Sequence, residues 1–157
     1  MPAAYPPAAN AGGFSLLEVL IAVLLLALGI LGAASLQLNA LRYHAGAVYA
    51  TQANVLGQDM LERLRANASQ LSDYNLTVNS PCLEGQAFAL APVADSIVEQ
   101  DKTDFNRAVA CELPEGRAWL TVKDGAAQLR IRWSEARQFD GAQEAELSLS
   151  ALIGTQP

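Results

Sequence analysis

Residues 13–28 read Gly13-Phe14-Ser15-Leu16-Leu17-Glu18-Val19-Leu20-Ile21-Ala22-Val23-Leu24-Leu25-Leu26-Ala27-Leu28, and the run stays apolar to about Leu36. Glu18 is the only charged side chain between Met1 and Leu41. Insertion scales place an acidic residue at the centre of a membrane helix at about +2.5 to +3.5 kcal/mol. A carboxylate in this run therefore needs a partner. The nearest candidate is an amino terminus created by a cut between Gly13 and Phe14, which sets a positive charge just upstream of Glu18 on the same helix. An acid at a helix start is also favoured by the helix dipole, but the position relative to Gly13 and Phe14 selects an intersubunit contact with a neighbouring amino terminus.

Residues 1–13 are mostly Ala, Pro, Asn and Gly, cannot build a core, and read as a disposable leader. The first basic residue is Arg42, so the positive-inside rule taken literally places the C-terminal side in the cytoplasm. The two cysteines and the Gly13-Phe14…Glu18 layout point the other way, to a periplasmic C-terminal part. Residues 14–36 supply about 23 apolar-dominated positions, enough for one membrane span. Gly29, Gly32 and Ser35 interrupt its second half, where small residues allow close packing on a neighbour and weaken helix propensity.

No helix stop follows the span. A stripe continues through Leu36, Leu38, Leu41, Ala45, Val48, Val55, Leu56, Met60 and Leu64, with Arg42, His44, Gln58, Glu62 and Arg65 on the other face. The first strong stop is Asn67-Ala68-Ser69. One helix over residues 14–67 is expected, ~80 Å long at ~1.5 Å per residue, apolar all round at first and one-sided over residues 37–67. Residues 68–157 then form a small domain folded on its second half.

Within that domain, residues 69–116 carry breakers at Ser72-Asp73-Tyr74-Asn75, Asn79-Ser80-Pro81 and Pro92. A short helix is expected over about residues 95–110, with Ile97, Val98, Phe105 and Val109 sharing a face. Trp119-Leu120-Thr121-Val122 leads into Lys123-Asp124-Gly125, and Asp-Gly is a strong hairpin signal. Leu129, Ile131 and Trp133 alternate with Gln128, Arg130 and Arg132, and a further strand is expected over residues 144–152. The fold class is α+β: a long N-terminal helix on an antiparallel meander of three or four strands.

The chain has 10 Lys and Arg against 16 Asp and Glu, a net charge of −6. All the basic residues and every acid but Glu18 lie beyond residue 41, so the remainder is acidic and has no basic nucleic-acid footprint. Cys82 and Cys111 are the only cysteines. In an oxidising periplasm such a pair bridges, which contributes ~3–4 kcal/mol by the chain-entropy estimate; the alternative is two unrelated buried thiols. Their spacing fits no metal pattern.

His44, the single histidine, has no cysteine or acid beside it at ligand spacing and reads as a surface residue. Ser96 and Ser134 have no base to activate them. Glu99, Asp101 and Asp104 lack the ordered spacing of a calcium loop and read as a solvated helix face. Trp119 and Trp133 are expected in the core or on a sheet face. No catalytic constellation, metal site or cofactor is expected. A rival reading takes residues 16–31 as the apolar region of an ordinary secretory signal cut at Gly32-Ala33-Ala34. The acid inside the run and the stripe passing through that cut oppose it.

The decapeptide Gly13–Ala22 resembles the class III signal of type IV pilins and type II secretion pseudopilins. Beyond it, Leu28-Gly29-Ile30-Leu31-Gly32, Ala50-Thr51-Gln52-Ala53 and Asp59-Met60-Leu61-Glu62-Arg63-Leu64-Arg65-Ala66-Asn67 resemble the PilV-type minor pilins, or pilus modification proteins. Asp104-Phe105, Leu113-Pro114-Glu115-Gly116 and Arg130-Ile131-Arg132-Trp133 resemble them more loosely. The resemblance implies the type IV pilin fold, with an αβ-loop in the periplasmic domain. It implies cleavage after Gly13 by a prepilin peptidase that also methylates the amino group of Phe14. It implies lateral insertion into a fibre, with Glu18 neutralising an adjacent subunit's terminus.

The implied role is that of a low-abundance subunit that primes pilus assembly in a tip complex, in fibres of the kind used for adhesion and twitching motility. Its partners would be other minor pilins, the major pilin, the inner-membrane assembly platform and a tip adhesin. Its location would be the bacterial inner membrane and then the pilus. The alternatives are a minor pseudopilin of a type II secretion system and a membrane-anchored periplasmic binding protein.

Overall fold

The computed structural model describes residues 15–83, 85, 93–136, 141 and 144–154. The chain divides into two units, Met1–Ala40 and Leu41–Pro157. In the first, the described residues are helical from Leu16 onward, and every one is exposed. Leu17, Leu20, Leu24, Leu28 and Leu31 expose between 58% and 67% of their surface, so a broad apolar surface is left uncovered by the described residues.

The second unit is built on the rest of helix α1 (Leu16–Ala66), a 3-10 segment (Ala68–Tyr74), strand β1 (Leu76–Val78), helix α2 (Ile97–Glu112) and strands β2 (Arg117–Lys123), β3 (Ala126–Ser134) and β4 (Glu144–Leu152). The strands form one antiparallel sheet in the order β1-β2-β3-β4. An α+β fold of a long apolar helix with a small antiparallel sheet is therefore established.

Local chemistry sets the element ends. At the end of α1 the Asn67 N–H donates to both the Arg63 and Leu64 carbonyls, at 3.1 and 3.2 Å, and Arg63 and Arg65 in the last turn complement the helix dipole. Ser96 caps α2 by accepting from the Glu99 N–H at 3.2 Å. Between β2 and β3, Asp124 and Gly125 take φ of 50° and 75°. Two successive positive φ values make the two-residue turn whose twist matches antiparallel strands, as Asp-Gly predicts. Asn75 fastens β1: its side-chain oxygen accepts from the Val122 N–H at 2.8 Å, and its amide donates to the Ser72 carbonyl at 2.9 Å.

The core lies between the inner sheet face (Val78, Ala118, Leu120, Ala127, Leu129, Ile131 and Trp133) and the helices, which contribute Ala53, Met60, Leu61, Leu64, Val98, Phe105 and Val109. Three expectations need correction. The α1 stripe holds only over the last turns: Met60 and Leu64 are buried and Leu56 half-buried as expected, whereas Leu36, Leu38, Leu41, Val48 and Val55 are exposed, and Ala53, Gly57 and Leu61 are buried besides. A Cβ on Gly57 would stand 2.6 Å from Leu149 Cδ1 and 3.5 Å from Ile131 Cδ1, so the helix meets the sheet along its smallest residues. Small size decides the contact at Gly57, while Met60, Leu61 and Leu64 bury large apolar side chains one or two turns further on. In α2, Ile97 is 58% exposed, because its position in the first turn lies off the line of Val98, Phe105 and Val109. Asp101, expected in solvent, is 5% exposed.

Gly116 closes the link from α2 to β2. A Cβ there would collide with the Val109 carbonyl oxygen, which is backbone and cannot rotate aside. Glu115 before it takes φ of 50°, so Leu113-Pro114-Glu115-Gly116 is a tight reversal that turns the chain straight from α2 into β2.

Candidate functional site

The candidate site is the start of α1. Ser15 opens the helix: its carbonyl accepts from the Glu18 and Val19 N–H groups at 2.9 and 3.2 Å, and its hydroxyl from the Leu17 N–H at 3.3 Å. This is an N-cap arrangement, and it places Glu18 in the first turn, where the dipole stabilises a carboxylate. Glu18 is exposed and has no hydrogen-bond or ion-pair partner among the described residues. Gly13 and Phe14, the expected cut, lie outside the described residues.

The helix that follows is long and apolar enough to cross a membrane, and none of its most apolar window is buried. Cβ atoms on Gly29 and Gly32 would meet nothing within 4 Å. The segment thus combines an apolar face available on all sides with one carboxylate at its end. Chemically it can insert into lipid or pack among similar helices, and it can offer one negative charge to a cation nearby.

Away from this segment, Cys82 and Cys111 form a disulfide across a sequence separation of 29. It ties the chain after β1 to the last turns of α2. Gln52 on α1 donates to Glu112 at the end of α2. His44 is exposed on α1, and among the described residues no group of His, Cys, Asp and Glu is arranged to hold a metal ion.

Sequence reasoning missed a polar knot that locks the two helices together. Asp101 on α2 accepts from Arg63 Nη1 on α1 at 2.7 Å and from the Tyr74 hydroxyl at 2.6 Å. Tyr74 also accepts from Asn67 Nδ2 at 3.0 Å, and Arg63 Nε donates to Asp59 at 2.8 Å. Burial pulls the Arg63 guanidinium down, but its hydrogen bonds to Asp101 and Asp59 and their charges outweigh it, leaving its pKa raised. Burial, and then the hydrogen bond to Asp101, raise the Tyr74 phenol against the opposing bond from Asn67. One signal was present in the sequence: Val98, Asp101, Phe105 and Val109 share one helical face, so an acid in that line had to be buried or break the face.

Residues 9–34 match the family model described as Prokaryotic N-terminal methylation motif. Comparison with curated proteins and with solved structures gave no significant match. The matched residues cover the last five residues of the expected leader, the Gly13-Phe14 step, Glu18 and much of the exposed apolar helix. They carry a prepilin signal of the type IV pilin and pseudopilin kind, and the long helix with its small antiparallel sheet is consistent with the type IV pilin fold. Together they support the type IV pilin and pseudopilin superfamily, whose motif marks structural subunits, and fit anchoring in the inner membrane before assembly.

Proposed function

We propose that this chain is a minor pilin of a type IV pilus, of the PilV type, which helps to prime assembly in a tip complex. A prepilin peptidase cuts after Gly13 and methylates Phe14. Residues 14–36 hold the subunit in the inner membrane and then in the fibre, with residues 37–157 in the periplasm beforehand. The observation that carries the reading is Glu18: one acid, unpartnered among the described residues, in the first turn of an exposed apolar helix inside a methylation motif. Its partner in the fibre is the amino terminus of an adjacent subunit. The partners are other minor pilins, the major pilin, the assembly platform and a tip adhesin.

Glu18→Ala tests this. The change removes a charge that costs free energy in lipid, so membrane insertion should be undiminished. In the fibre it leaves a desolvated amino terminus uncompensated, at ~3–5 kcal/mol, or a hundredfold or more in incorporation at ~1.4 kcal/mol per tenfold. Mass spectrometry of sheared surface fibres reads both the mature N-terminus and the incorporation. A mature chain beginning near Ser35, or wild-type incorporation of the variant, would overturn the proposal. A secretion defect with no change in surface fibres would point instead to a minor pseudopilin of a type II secretion system.

A further inference from the structure

The outer face of the sheet, opposite the core, carries rows of side chains fixed by strand register, three of them at its centre. Thr77, Trp119, Arg130 and Ser148 lie side by side across the four strands, and Arg117, Arg132 and Glu146 form the next row. Thr121, Gln128 and Ser150 form the row on the other side. Trp119 is half-buried in the middle of these three rows, which are otherwise polar; the apolar Leu152 lies exposed in the row beyond Ser150. The guanidinium carbons of Arg130 and Arg132 lie 5.6 and 5.5 Å from its ring centroid, within cation–π range.

The three arginines are not equivalent. Arg132 is neutralised by Glu146 at 2.5 Å and Glu144 at 3.6 Å. Arg117 and Arg130 are exposed and have no carboxylate partner among the described residues. In a chain of net charge −6, two unneutralised arginines beside an accessible indole stand out against the background. The Arg130 guanidinium, already held over the indole, loses little freedom on binding, and the planar fork of an arginine matches a carboxylate bidentately. Trp and Arg are also the residue types that dominate binding energy at protein interfaces.

We infer that this face docks a carboxylate-bearing surface of a neighbouring subunit, with Trp119 as the apolar anchor and Arg117 and Arg130 as the charge partners. That the occupant is a fellow subunit rests on the pilin reading above. Charge selects a protein carboxylate over a polyanion. Nucleic acid binding draws its affinity from many phosphate contacts, whereas here two arginines without a carboxylate partner among the described residues are bordered by Glu144 and Glu146 on an acidic chain.

The test uses the full-length chain in its own cells, with a photo-crosslinking residue at Gln128, at Ser69 as a control outside the face, or at Leu24 in the apolar helix. Gln128 should give an adduct with a second chain that bears the N-terminal methylation motif, joined near an Asp or Glu. Arg117→Glu with Arg130→Glu should reduce that adduct tenfold or more, and Lys at the partner's acid should restore it. Retention of the Cys82–Cys111 bond in the variant reports that it is folded. An adduct at Gln128 indifferent to charge reversal, equal yield at Ser69, or an adduct with nucleic acid or lipid would overturn the inference. Adducts at Leu24 with motif-bearing chains and none at Gln128 would overturn the docking face alone. A charge-dependent adduct with a chain lacking the motif would uphold the face and overturn the pilin reading.

Discussion

Replacing Asp101 with Ala tests the buried polar knot directly. The Asp101 side chain is 7% exposed and accepts from Arg63 and Tyr74 at 2.7 and 2.6 Å. A hydrogen bond to a charged group contributes about 1.5–3 kcal/mol, and a buried donor left without an acceptor costs about 1–3 kcal/mol. Tyr74 is fully buried, so its O–H bears that second cost. Arg63 is different: its side chain is 34% exposed and keeps Asp59 at 2.8 Å, so losing its ion pair with Asp101 is screened and amounts to ~1 kcal/mol or less. The expected loss for Asp101→Ala is ~2–4 kcal/mol, a large share of a typical domain's stability.

Tyr74→Phe removes the orphaned donor as well as the bond, and should cost ~1–2 kcal/mol. The double variant should then lose at least ~1 kcal/mol less than the sum of the singles, because the two residues share one interaction. The assay is guanidinium unfolding of the full-length chain in detergent micelles, followed by Trp119 and Trp133 fluorescence. Both indoles lie in the sheet, so the signal is not swamped by the long helix. A loss below ~0.5 kcal/mol for Asp101→Ala, or strictly additive costs, would refute the reasoning.

Tyr74 also predicts a pH limb. Its folded pKa lies above the ordinary 10.0, so the stability it contributes is complete below about pH 10 and is lost as pH rises through the folded value; the wild-type minus Tyr74→Phe difference in unfolding midpoint should shrink across that window. Cys82→Ser with Cys111→Ser should destabilise the domain by ~3–4 kcal/mol, read in the same unfolding assay, and equal stability of the reduced and oxidised wild type would contradict it. Gly57→Ala should be near neutral, since Leu149 Cδ1 is the free end of a rotatable side chain on an edge strand and helix propensity improves by ~1 kcal/mol. Gly57→Leu should overfill the same contact and cost ~1–3 kcal/mol, so similar midpoints for the two would refute close packing there.

The sequence alone determined the features that short-range chemistry controls. A run without charge except Glu18 has to be helical and must find an apolar surrounding, because lipid and apolar neighbours offer the backbone no hydrogen bonds. Asp124-Gly125 fixes a hairpin through positive φ, and the alternation from Gln128 to Trp133 fixes which side chains face the core. Each of these is settled by residues a few positions apart.

Tertiary structure decided what depends on partners distant in the chain. β1 is only three residues long, too short for a periodic signal, and exists because β2 pairs with it and Asn75 anchors it. Asp101 sits beside Asp104 and Glu99 in sequence and looks like part of a solvated acidic face; its burial is possible only because Arg63 and Tyr74 reach it from elsewhere in the chain. On α1, Met60 and Leu64 follow the hydrophobic stripe into the core, but the burial of Ala53 and Gly57 depends on their small size, which hydrophobic periodicity does not encode. Trp133 follows the alternation of its own strand into the core, but Trp119-Leu120-Thr121-Val122 carries no such clean alternation, and it is the register of Trp119 against Arg130 that leaves this indole outside between two guanidiniums. Side-chain periodicity specifies that a strand has two faces, while burial is assigned by whatever packs against one of them.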